Sequence, residues 1–91
     1  MNKVVRTAFI LISFSKGSRG FLDVVAIVSK FERFLIGSIH VPSQQDEDSV
    51  FGILVKADTD QLGAITGSLG KVKGVKVKSA VLPLDDDEMK K

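Results

Sequence analysis

The sequence contains no cysteine, tryptophan or tyrosine, only two prolines, and a single histidine, His40. Without thiols there is no disulfide framework and no thiolate metal site, which is compatible with a reducing compartment, and we expect a cytoplasmic protein. One imidazole with no cysteine argues against a metal centre in one chain, so no cofactor is expected; such a site would need copies brought together by symmetry. No nucleophile elbow and no pair of carboxylates on facing elements is visible, so enzymatic activity is not expected. No stretch approaches the roughly 20 apolar residues that a membrane-spanning helix needs. The opening, MNKVVRTAFILISFS, places positive charge before apolar residues as a secretory signal would, but the run is short and no A-x-A cleavage site follows.

With 91 residues, of which 44% are apolar, the chain suits one domain with one two-layer core. The net charge of +2 hides an asymmetry: residues 83–91 hold four acids and two lysines, against seven acids and eleven bases in residues 1–82. We therefore take residues 1–82 as the folded domain and residues 83–91 as an acidic, disordered tail with no assigned role. The basic residues of the body are scattered, so a nucleic-acid partner is not indicated.

Residues 4–14 are rich in β-branched and aromatic side chains, with Val5, Phe9 and Leu11 on one face and Ala8, Ile10, Ile12 and Phe14 on the other. Two apolar faces predict a central strand. The loop SKGSRG follows, with Ser18 placed to cap the next helix, whose apolar stripe reads Phe21, Val24, Val25, Val28 and Phe31, with Lys30 and Arg33 in its last turn. Residues 35–41 form a second strand ending before Pro42. An acidic turn with Asp46, Glu47 and Asp48 then leads to residues 50–56, again apolar on both faces and predicted central.

Asp58 and Gln61 have the spacing of a capping box, and Leu62, Ile65, Leu69 and Val72 supply the core stripe of a helix over about residues 59–72. Gly74 stands where a left-handed C-cap is expected. In residues 75–82, Val75, Val77 and Val81 point inward while Lys76 and Lys78 face out, a pattern that protects an edge strand. The order βαββαβ specifies an α+β, ferredoxin-like fold: a four-stranded antiparallel sheet with two helices on one face. The first and third strands are central in that plan, in agreement with their composition. Their second apolar face has no helix to cover it, which predicts a homo-oligomer, dimer or tetramer, joined sheet on sheet or through edge strands.

The segments FLIGSIHVP and SVFGILVKADTDQLGAITGSLGKVKGVKVK resemble the small proteins called iron-only hydrogenase system regulators, most specifically over LGAITGSLGKVKGVKVK. More distantly the chain looks like an ACT domain, a regulatory module of the same fold that senses amino acids. In that family a glycine after the first strand opens the helix, and effectors bind beside it at a subunit interface; Gly20 is the matching position. No proline precedes Gly20 and no acidic residue ends the first strand, two departures from the ACT pattern. The resemblance implies a homo-oligomeric regulatory domain, with a small-molecule effector and no chemistry of its own.

Two constellations are candidate sites. Lys16, Gly17, Ser18, Arg19 and Gly20 combine two cations with the N–H groups that open a helix, suiting a carboxylate or phosphate; a solvent-exposed connection is the alternative. They match neither a P-loop nor a dinucleotide fingerprint. Gly63, Gly67 and Gly70 share one flank of the second helix, each unfavourable there by about 1 kcal/mol relative to alanine. Close packing within the fold or between subunits explains them better than ligand contact. A pure protein–protein interaction subunit is the runner-up reading. An RNA-binding module, with Phe9 and Phe51 as base-stacking rings on the first and third strands, ranks below it.

Overall fold

The computed structural model of the chain describes residues 4–15, 20–41 and 49–83. The elements follow in the predicted order: β1 (Arg6–Phe14), α1 (Gly20–Lys30), β2 (Leu35–Val41), β3 (Ser49–Ala57), α2 (Thr59–Gly70) and β4 (Val75–Val81). All pairings are antiparallel in the order β2-β3-β1-β4, so β1 and β3 are central and β4 is an edge strand, as their compositions require. Register sets Ile10 against Ile53 and Ile12 against Val77, which gathers the branched side chains of neighbouring strands under the helices.

The core lies between the helices and one sheet face. Ile10, Ile12, Ile53 and Val55 from the sheet meet Val24 of α1 and Ile65 and Leu69 of α2, all fully buried. Truncating one of these aliphatic side chains to alanine in such a core costs about 2–5 kcal/mol. The capping box that opens α2 is complete: Asp58 Oδ1 accepts from the Gln61 N–H at 2.8 Å, and the Asp58 N–H donates to Gln61 Oε1 at 2.9 Å.

Several details differ from the sequence expectation. The buried stripe of α1 is Gly20, Val24 and Val28, with Ile27 and Phe31 packed beside it, whereas Phe21 and Val25 are exposed. Nearly every position of this helix is apolar, so the sheet beneath, and not the periodicity, fixes its rotation. The helix also stops at Lys30, and Arg33 falls in a 3₁₀ turn, Glu32–Phe34. That tighter winding places positions three apart on one side. It lets Phe31 and Phe34, with ring centroids 6.4 Å apart, both pack on the core.

Helix α2 ends at Gly70, two residues short of expectation, and its C-cap is Lys71 in right-handed conformation. Gly74 does adopt the left-handed region, at φ 80°, but in the turn before β4. Val81 shares the helix side of β4 with Val75 and Val77 yet stays exposed, because no helix covers that corner. Ser18, the acidic turn at Asp46, Glu47 and Asp48, and residues 84–91 of the tail lie outside the described residues.

Candidate functional site

Of the loop predicted to hold an anion, Lys16, Gly17, Ser18 and Arg19 lie outside the described residues, and Ser15 and Gly20 are described. At one end the Ser15 N–H donates to the Gly74 carbonyl at 3.0 Å, tying the exit of β1 to the turn that feeds β4. At the other, Gly20 is buried as the first residue of α1. Ser15 is thus tied to the sheet and Gly20 to the core.

Next to Gly20 stands an aromatic group that the sequence did not announce. The Phe21 ring meets Phe14 edge to face at 5.6 Å and stacks on His40 at 5.4 Å, and His40 meets Phe51 edge to face at 6.0 Å. Such ring pairs add about 0.5–1.5 kcal/mol beyond their burial. His40 thus joins edge strand β2 to the start of α1, and its ring forms one wall beside the helix entrance. Among the described residues no group of three or more His, Cys, Asp or Glu side chains could hold a metal. Nor is any helix among them long and apolar enough to cross a membrane.

Among the described residues, a Cβ placed on Gly63, Gly67 or Gly70 of α2 would meet nothing within 4 Å. The described residues thus supply no close packing against this flank, although Gly63 borders the space between the helix and the sheet. Contact between subunits is the packing reading that stays open.

The sheet face opposite the helices carries the more extensive feature. Phe9 and Leu11 of β1, Ile39 and Val41 of β2, and Leu54 of β3 share it, and the first four remain 38%, 40%, 57% and 47% exposed. Side by side in the ladder, Ile39, Gly52 and Leu11 form one cross-strand row and Gly37, Leu54 and Phe9 the next. A Cβ at Gly52 would come within 2.6 Å of Phe9 Cζ and 3.2 Å of Ile39 Cγ2, so the glycine lets the Phe9 ring lie across β3 toward β2. The result is a shallow apolar hollow of about 280 Å³ over β2, β3 and Phe9 of β1, and on β4 the same face carries Lys76 and Lys78, beside Ser13 and Leu11. Phe51, by contrast, packs against the core on the helix side, so Phe9 has no aromatic partner from β3 for stacking bases. That geometry removes the paired platform on which an RNA-binding reading rests.

Comparison with known proteins gives a consistent picture. Residues 6–79 match the model of the TM1266-like family, described as "Iron-only hydrogenase system regulator, putative". Among solved structures, the uncharacterized protein TM1266 of Thermotoga maritima is similar at a TM-score of 0.82 and 22% identity, over 88% of this chain and 100% of that one. The ACT domain of GTP pyrophosphokinase from Chlorobium tepidum is similar at 0.70 and 20% identity, over 85% of this chain and 100% of that one. A solution structure of that same domain is similar at 0.57 and 19% identity, over 90% and 89%. No curated protein matches the sequence.

Proposed function

Because this chain belongs to the TM1266-like family of iron-only hydrogenase system regulators and has an ACT-like fold, we propose that it is a non-catalytic, cytoplasmic regulatory module that works as a homo-oligomer and senses a small anionic effector. The observation that carries this reading is the apolar sheet face of Phe9, Leu11, Ile39 and Val41, exposed on a single copy in a way that soluble chains reserve for contact surfaces. A second copy placed there completes the two-sided burial for which β1 and β3 are composed. In this reading residues 1–82 are the working unit and residues 83–91 an acidic tail.

The effector is held, in this reading, by Lys16, Gly17, Ser18, Arg19 and Gly20. The positions of Ser15 on the sheet and Gly20 on the core support it, as does the ring of His40 beside the entrance to α1. An amino acid or another small carboxylate or phosphate is the class that two cations at a helix start would attract. Thermal-shift screening against amino acids and phosphorylated metabolites, followed by calorimetric titration, tests this. The expected result is a saturable heat with one of them that is lost in Arg19→Ala; silence from both proteins discards the sensor.

The runner-up is an interaction subunit that binds another protein and no effector. The same open sheet face favours it, since an apolar hollow on a face that also carries lysines serves a partner protein as readily as a second copy.

A further inference from the structure

At the opposite end of β1 from residues 15–20, α2 leaves the edge of the sheet uncovered. A cleft of about 330 Å³ opens there between α2 and the helix-facing side of β1 and β4. Its floor is apolar, built from Ala8, Ile10 and Leu62 with Val81 at the edge. Its polar groups are few and come from separate elements: Arg6 from β1, Thr59 and Thr66 from α2, Ser79 from β4. Gly63 stands at the wall, and the space where its side chain would project is empty.

Arg6 is the group that gives this cleft a chemistry. Its Nη2 donates to the Leu82 carbonyl at 3.0 Å, which fixes the guanidinium at the strand end. Its Nε is shielded from water and has no hydrogen-bond partner among the described residues. The Leu82 carbonyl takes only one of the five N–H donors of a guanidinium that lines the cleft, so the group can take a further acceptor that arrives there. A carboxylate is the acceptor that a guanidinium matches best. Thr66 Oγ1 already donates to the Leu62 carbonyl at 3.0 Å, so toward the cleft its hydroxyl offers lone pairs to a donor. Asp58, next to Thr59 in the chain, turns Oδ1 to the Gln61 N–H.

We propose that this cleft is a binding site for a small monocarboxylate with a compact apolar body: the carboxylate on Arg6, the hydrocarbon against Ala8, Ile10 and Leu62. One guanidinium over a largely apolar floor suits a single negative charge better than a phosphate dianion. The volume, at the lower end of the roughly 300–1,000 Å³ typical of ligand pockets, sets the size at that of a branched-chain or aromatic acid. The inference goes beyond the effector reading above and stands or falls separately from it, because none of its residues belongs to the loop at residues 15–20.

Amide NMR of the full-length labelled protein, titrated with 4-methylpentanoate, phenylacetate, inorganic phosphate and the uncharged 4-methylpentanamide, tests it. The expected result is saturable shifts at Thr59, Gly63, Thr66 and Ser79 with at least one of the two carboxylates, and none with phosphate or the amide. Arg6→Gln weakens that binding by about tenfold or more, the scale of one hydrogen bond to a charged group. Gly63→Leu, at an open helical position where a side chain adds helix propensity, abolishes the shifts while the rest of the spectrum is kept. Absence of saturable shifts with both carboxylates in the natural protein overturns the proposal. So does an amide or a phosphate that binds as tightly as the acid, or a Gly63→Leu protein that binds unchanged.

Discussion

Asp58 is the residue whose role is most completely determined by its neighbours in the chain. Its carboxylate and backbone N–H are both engaged by Gln61, so the pair satisfies two groups that a helix start otherwise leaves open. Asp58→Ala should lower stability by about 1 kcal/mol, read as a shift in the urea midpoint with an unchanged slope. This contact was legible in the sequence because both partners lie within three residues of each other. The stacking of His40 on Phe21 was not, because it depends on where an edge strand passes a helix start nineteen positions earlier in the chain. Composition marks His40 as the only imidazole, but nothing local says which ring it will meet.

At the scale of the element, strands proved more legible than helix faces. The period of two separates Ala8, Ile10, Ile12 and Phe14 from Phe9 and Leu11 without ambiguity, and the structure buries the first set and exposes the second. In α1 the neighbours Val24 and Val25, and Ile27 and Val28, are all apolar, so a stripe drawn through Val25 is as good on paper as the observed one through Ile27. Packing on the sheet decides between them. In α2 the difficulty is the reverse: the stripe of Leu62, Ile65 and Leu69 is plain, and the glycines are the puzzle. Gly67 has open space around its missing side chain, so Gly67→Ala should stabilise the fold by about 1 kcal/mol in urea titration at fixed protein concentration. A loss of stability together with a loss of assembly would instead place a partner's backbone against this flank.

For the whole molecule, the strand order and the two central strands followed from where the chain places residues that are apolar on both sides. The same property leaves the fold with a bare face, since both helices pack on the other one. The Arg6 cleft had no signature in the sequence: it exists only where β1, α2 and β4 converge, and of its residues Gly63 alone stands out in its own segment. The loop at residues 15–20 had the opposite character: it is conspicuous in composition, and the structure describes Ser15 and Gly20 of it. Assembly through the bare face is thus the claim on which the regulatory reading depends most.

Light scattering coupled to size exclusion, on the natural protein and on Leu11→Lys, measures it directly. Leu11 lies mid-face between Gly52 and Lys78 and is already solvent-accessible on the single chain, so a lysine there leaves the core untouched. The natural protein should elute as a dimer or tetramer, and Leu11→Lys as a single chain with an unchanged circular dichroism spectrum. A natural protein that is a clean monomer at working concentration would contradict the account.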